Sequence, residues 1–333
     1  MNWKVLITAS GFVKGGPRAE ELMRRAGCEL VIPPRLGPLR AKEVVPLLEG
    51  IDAVLASLDQ YSAEVLTSSQ AGRLKIIARW GVGYDSIDVA AATRNGIAVT
   101  FTPGLLDEAV ADYAFALLLT VARRTHETHA TLSRHAWKPL WGHDVAGKAL
   151  GLIGCGRIAL AMARRAKGFD MRLLAYDPKP NLEAATLGIE TVSLDTVLRE
   201  SDFVSLHAAS TPQNRGLLGE TQLRTMKPTA YLINTARGAL VDEVALAAAL
   251  RGGRIAGAAL DVFETEPLPD NNPLRDAPNL LLSPHQASFT YETGERVSLA
   301  AAQAILDLIN GRKPQNVLNP EVFESPKLRA KCD

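Results

Sequence analysis

The chain has 333 residues, 47% of them apolar and 22% charged, with a formal net charge of +1. This is the composition of a soluble globular protein too long for one core, so two domains are expected. Near-neutral charge excludes a global field that would draw it to nucleic acid or anionic lipid. No uninterrupted apolar run reaches the roughly 20 residues of a membrane span. The start, MNWKVLITASG, is too short and too lightly basic for a secretory signal.

In chain order, WKVLITA, CELVI, AVLAS, LKIIAR and IAVTF are apolar runs of strand length. Helical segments such as RAEELMRRAG, with its glycine stop, separate them. Strands alternating with helices imply βαβ units and a parallel sheet. TPGLLDEAVADYAFALLLTVARRT reads as one long helix, with acids in its early turns and arginines at its end, as the helix dipole favours. A polar region carrying His126, His129, His135 and His143 follows, solvated or interfacial in character. KALGLIGCG then opens a second series, continued by RLLAYDP, FVSLHA, AYLINTA, IAGAALDVF and LLLSPH. These near-continuous apolar strands suit a parallel sheet covered on both faces. TYETGERVSLAAAQAILDLINGR is a last helix, closed by Gly311. The fold class is α/β with doubly wound parallel sheets.

Cys28, Cys155 and Cys332 are odd in number and scattered, which points to reduced thiols and a cytoplasmic location. No HExxH or Cys/His cluster suggests a metal site.

The stretch GLIGCGRIA contains Gly154-x-Gly156-x-x-Ala159 between a strand and a helix. In that setting the glycines let backbone approach a pyrophosphate, whose charge the helix N-terminus accepts. The following strand ends at Asp177, where a carboxylate would take hydrogen bonds from an adenosine ribose and repel a 2′-phosphate. A dinucleotide site that favours NAD over NADP is expected, with Lys179 able to soften the preference. Near the C-terminus, LSPHQASFT sets His285 directly after a proline where an apolar run ends. Alone, such a histidine is ordinarily a packed loop residue, and it needs partners to become an acid or base.

Three further stretches, INTARGALVDE, GAALDVFETEPL and LSPHQAS, join RWGVGYDSIDVAAATRNGIAVT and GLIGCGRIA. From about Trp3 to Pro320, the chain resembles the D-isomer-specific 2-hydroxyacid dehydrogenases in the order and spacing of these motifs. The closest flavour is the phosphoglycerate dehydrogenase branch, without a regulatory domain. The resemblance implies that Arg237 holds the substrate carboxylate and polarises the 2-oxo group, for which a guanidinium fork is suited. It implies that Glu266 hydrogen-bonds His285, orients the ring and raises its pKa. His285 would then give a proton to the carbonyl oxygen while the nicotinamide delivers hydride. It places Arg157 and Ile158 at the pyrophosphate, Thr235 and Ala236 beside the nicotinamide, Asp261 at the carboxamide and His207 on the cofactor side. Val82 and Gly83 would offer N–H groups to the substrate carboxylate, with Arg79 nearby. It also implies a flavodoxin-like substrate (lid) domain, residues 1–102 plus 290–333, and a Rossmann NAD-binding domain, 103–289. Hinges would fall near Thr102–Pro103 and Ala287–Thr290. A homodimer would form through the 103–125 helix and an arm carrying Trp137 and Trp141.

Departures bear on the substrate. The phosphoglycerate branch often has an arginine after the third strand, where this chain has Ala56-Ser57-Leu58-Asp59. A lost charged hydrogen bond is worth roughly 1.5–3 kcal/mol, and Asp59 would repel a phosphate. Arg79 remains where that branch has a phosphate-facing arginine. Phe101 and Gln286 stand where Asn and a small apolar residue are common, and both would reshape the pocket. The expected activity is an NAD-dependent D-2-hydroxyacid dehydrogenase or 2-oxoacid reductase. Phosphoglycerate dehydrogenase, glyoxylate or hydroxypyruvate reductase, phosphite dehydrogenase and an NAD(H)-sensing corepressor are the alternatives.

Overall fold

The computed structural model describes residues 2–179 and 181–330, so the expectation for Cys332 lies outside them. The chain divides into two compact units, Met1–Leu106 with Phe289–Asp333, and Asp107–Ser288.

The first unit is built on β1 (Lys4–Ile7), β2 (Glu29–Val31), β3 (Ala53–Ala56), β4 (Ile76–Arg79) and β5 (Ala98–Thr100). All pairs are parallel and the order is β2-β1-β3-β4-β5, the flavodoxin-like arrangement. Every residue of β3, β4 and β5 is buried, because helices cover both faces, and polar side chains enter only at the strand ends, as Arg79 and Thr100 do. One cover is the helix Tyr291–Ile309, which packs on β3 and β4 and on the short helices Ser10–Gly15 and Pro17–Arg25. Gly15 and Gly294 let these helices meet backbone to backbone, since a Cβ at 15 would lie 2.7 Å from the Gly294 Cα.

The second unit holds β6 (Ala149–Ile153), β7 (Arg172–Tyr176), β8 (Ile189–Thr191), β9 (Phe203–Leu206), β10 (Tyr231–Asn234), β11 (Gly257–Leu260) and β12 (Leu280–Leu282). The parallel order is β12-β11-β10-β9-β6-β7-β8, a Rossmann sheet extended by one strand. Side-chain alternation feeds two cores. Leu150, Leu152, Leu173 and Ala175 pack with the helices Asp107–Arg123 and Arg157–Lys167. Ile153 and Leu174 pack on the opposite face with Leu223, Leu246 and Leu250. The chain reverses direction between β6 and β9, and ligands of open α/β sheets bind beyond the strand ends at that switch point.

Two details differ from the sequence reading. The long helix spans Asp107–Arg123, shorter than expected. Arg124, at φ 52°, then breaks it, and a separate helix runs Thr125–Ser133 with no buried residue. The edge strand β8 was not anticipated. Among the described residues no helix is long and apolar enough to cross a membrane.

Candidate active site

The glycine loop leaves β6 at the switch point. Gly154 sits at φ +90°, and a Cβ there would come within 2.5 Å of the Ala208 backbone nitrogen, so the loop lies against the end of β9 only because the side chain is hydrogen. Gly156, before the helix Arg157–Lys167, borders open space, so backbone and helix N-terminus are accessible to an anion. The intervening Cys155 peptide is held from both sides. Its N–H donates to Asp177 Oδ2 at 2.8 Å, and its carbonyl accepts from Asn181 Nδ2 at 2.6 Å. Asp177 Oδ1 accepts the Lys179 N–H at 2.8 Å. The carboxylate is thereby fixed at the end of β7.

Of the other cofactor-side residues, Arg157 donates to Asp107 Oδ2 at 2.6 Å, and the Ile158 side chain packs on the core. Any contact of theirs with a pyrophosphate would therefore run through the helix N-terminal N–H groups. His207 follows β9 with Nε2 2.9 Å from Ser205 Oγ; burial pushes its pKa down to about 4, so the ring is neutral at physiological pH. Thr235 is buried, and its hydroxyl has no partner among the described residues. A buried hydroxyl without a hydrogen bond is costly, and a ligand group beside it would relieve that cost. Open space over Gly156, a fixed Asp177 and the orphaned Thr235 hydroxyl together fit a dinucleotide.

The turn after β10 presents Arg237. Asn234 is buried at its base, accepting the Ala236 N–H at 3.0 Å and donating to the Arg237 carbonyl at 2.9 Å. The Arg237 guanidinium donates to the Ala236 carbonyl at 2.6 Å. Gly238 follows, and a Cβ there would lie 1.8 Å from the Phe263 carbonyl carbon. The turn carrying Arg237 thus lies directly on the segment leading to Glu266. Gly238→Ala is expected to destabilise the protein by about 1–3 kcal/mol through overpacking, and unchanged thermal unfolding would refute the contact.

Glu266 divides its carboxylate between two donors. Oε1 accepts the Phe263 N–H at 2.9 Å, and Oε2 stands 2.7 Å from His285 Nδ1. An ionised carboxylate only accepts, so the proton lies on Nδ1 and Nε2 is left to serve another partner. His285 itself sits at φ 51°, an uncommon conformation for a non-glycine residue. What holds it there is Asp261, at the end of β11. The Asp261 carbonyl accepts the His285 N–H at 2.8 Å. Its carboxylate accepts the Ser283 hydroxyl at 2.6 Å and the N–H groups of Gln286 at 3.0 Å and Ala287 at 2.8 Å. Burial raises the Asp261 pKa, with these three hydrogen bonds and His285 opposing. Asp261 has no exposed surface. Besides the carboxamide role that the resemblance implies, Asp261 anchors the loop that carries His285.

Sequence reasoning missed three supports. Asn234 shapes the Arg237 turn, and Asn181 holds the glycine loop. Glu243, almost fully buried, accepts the Glu264 N–H at 2.8 Å and the Asn272 amide at 2.5 Å, which secures the segment around Glu266. Gln286 is tethered by its side-chain amide to the Tyr113 hydroxyl at 2.7 Å.

In the first unit, the segment Arg79–Gly83 leaves β4. Arg79 is 6% exposed, and its guanidinium donates to the carbonyls of Trp80 and, at 2.8 Å, of Gly83. Asp59 is fully buried, accepting from the Thr8 hydroxyl and from the N–H groups of Ser57 and Leu39, each at 3.0 Å. The expectation of Asp59 as a charge that repels a ligand is corrected: it is an internal acceptor.

The family model for the D-isomer specific 2-hydroxyacid dehydrogenase NAD binding domain matches residues 115–287. A glyoxylate reductase from Korarchaeum cryptofilum is 46% identical over 296 residues, 86% of this chain and 88% of that protein. Among solved structures, the TT0316 protein of Thermus thermophilus is 40% identical with a TM-score of 0.85, covering 95% of this chain and 99% of that one. The D-lactate dehydrogenase of Escherichia coli is 33% identical with a TM-score of 0.82, over 95% and 99%. A Rossmann unit with this glycine loop, and relatives matched over nearly their full length, lead to one conclusion: the chain belongs to the D-isomer-specific 2-hydroxyacid dehydrogenase family, NAD-dependent oxidoreductases acting on CH–OH donors.

Proposed function

We propose that the protein reduces small unphosphorylated 2-oxoacids, glyoxylate foremost, with His285 as the proton donor, and that it works as a cytoplasmic homodimer. The observation that carries the reading is the 2.7 Å contact of Glu266 with His285 Nδ1, which leaves Nε2 to serve a substrate oxygen. The name of the Korarchaeum relative supports glyoxylate, and Ala56-Ser57 in place of a basic residue supports an unphosphorylated acid.

Bound NADH supplies the hydride. Gly154, Gly156, Arg157, Ile158, Asp177, His207, Thr235, Ala236 and Asp261 are the residues assigned to hold it. Arg237 binds the substrate carboxylate and polarises the 2-oxo group through a permanently charged guanidinium. His285 Nε2 gives its proton to the oxygen as it becomes a hydroxyl, and in the reverse direction takes it back. Glu266 stabilises the charged ring and fixes its rotation. The substrate domain is assigned residues 1–102 with 290–333, and the substrate carboxylate is assigned to the N–H groups of Val82 and Gly83. The NAD-binding domain is assigned residues 103–289. Trp137 and Trp141 are 88% and 93% exposed, a cost for large apolar rings that a second copy of the chain would remove.

The test is NADH oxidation, followed by absorbance, with glyoxylate, hydroxypyruvate, phosphohydroxypyruvate and bulkier 2-oxoacids, repeated with NADPH. Glyoxylate or hydroxypyruvate with NADH is expected to give the highest kcat/KM. A preference for phosphohydroxypyruvate, or for NADPH, would overturn the corresponding part of the assignment.

A further inference from the structure

Arg79 stands out because a permanently charged side chain is buried in a unit assigned to bind an anion. Two explanations compete: a cation waiting for a substrate phosphate, or a cation engaged by the protein. The geometry favours the second. Nε donates to the Gly83 carbonyl at 2.8 Å, and another guanidinium nitrogen donates to the Trp80 carbonyl. One planar group therefore ties the first and last residues of a four-residue loop. A guanidinium can do this because its donors form a rigid fork; an ammonium cannot.

Other contacts fix the middle of the loop. The Gly81 N–H donates to Thr102 Oγ1 at 3.0 Å, and the Thr102 N–H donates back to the Gly81 carbonyl at 3.0 Å. In a trans peptide the N–H lies opposite the carbonyl, so fixing the Gly81 carbonyl also fixes the direction of the Val82 N–H. Trp80 is anchored by its indole N–H to Ser298 Oγ at 2.9 Å. Gly81 has φ +135°, and a Cβ there would lie 2.9 Å and 3.1 Å from the two terminal guanidinium nitrogens, so the loop folds directly over Arg79. Buried Asp59 lies near enough for the Arg79 charge to act on it: burial raises its pKa, and Arg79 is among the groups that oppose the shift.

We infer that Arg79 is a positioning residue: its guanidinium holds both ends of residues 80–83 from beneath, between which lie the Val82 and Gly83 N–H groups assigned to the carboxylate common to all 2-oxoacids, and it contacts no substrate phosphate. This rests on the assignment of those N–H groups to the substrate. It predicts that losing the fork weakens all 2-oxoacids alike, with or without a phosphate.

The experiment uses the full-length enzyme and begins with the parent protein on glyoxylate, hydroxypyruvate and phosphohydroxypyruvate. Inactivity on all three would sink the assigned function before any variant is made. With activity present, Arg79→Gln and Arg79→Lys are expected to raise KM for each substrate by about tenfold or more, with kcat changed far less, the signature of lost uniform binding. NADH affinity, read by fluorescence, should stay as in the parent. Gly81→Ala keeps Arg79 but disturbs the loop above it, and should reproduce the same split; it serves if the Arg79 variants fail to fold. A loss confined to phosphohydroxypyruvate would make Arg79 a phosphate ligand and overturn the inference. Unchanged KM for every substrate in all three variants would overturn it as well.

Discussion

Replacing His285 with alanine is expected to lower kcat by about 10²–10⁴-fold while leaving NADH affinity nearly unchanged. The expectation follows from the position of the ring. Glu266 fixes Nδ1 at 2.7 Å, and the Asp261 carbonyl takes the backbone N–H, so deletion of the imidazole removes a donor without removing the loop that carries it. Asp261 continues to bind the Ser283 hydroxyl and the Gln286 and Ala287 N–H groups in the variant. Glu266→Gln should give a smaller loss of the same kind, because the ring stays but loses the charge that stabilises its protonated form. Turnover by His285→Ala equal to that of the parent enzyme would falsify the proton-donor role.

The second large effect is expected at Arg237. Lysine keeps the charge but cannot offer two coplanar N–H groups to a carboxylate. Each lost charged hydrogen bond is worth roughly 1.5–3 kcal/mol, so Arg237→Lys should lower kcat/KM by about 10–100-fold, and Arg237→Ala by more. The turn that presents Arg237 should survive, because Asn234 holds it through backbone groups that the substitution does not touch. Steady-state kinetics with glyoxylate checks this, and a lysine variant with the parent's kcat/KM would remove Arg237 from substrate binding.

How much of this could be read from the sequence depends on the kind of signal each residue leaves. Most strands of the two sheets were legible because a doubly covered parallel strand is apolar along nearly its whole length, as in β3 and β6, and in β4 and β10 up to their last residue. β8 was not, since Ile189–Thr191 buries one residue of three and pairs only at a sheet edge. The helix Thr125–Ser133 left no trace either: it buries nothing, so no apolar periodicity marks it. Arg237, Glu266 and His285 were legible through motifs. Their supports were not, because Asn234, Glu243 and Asn181 act on backbone N–H and carbonyl groups whose arrangement has no sequence period. Asp59 misled for the same reason. Nothing in Ala56-Ser57-Leu58-Asp59 reveals that two backbone N–H groups and a threonine hydroxyl converge on that carboxylate.

The seam between Gly238 and the Phe263–Glu264 backbone also constrains how such a chain can change over generations. A lineage that acquires a side chain at 238 must shift the segment bearing Glu266 in the same step, or lose the alignment of its acid. The two segments are 25 positions apart in the chain, from 238 to 263, yet their substitutions are epistatic.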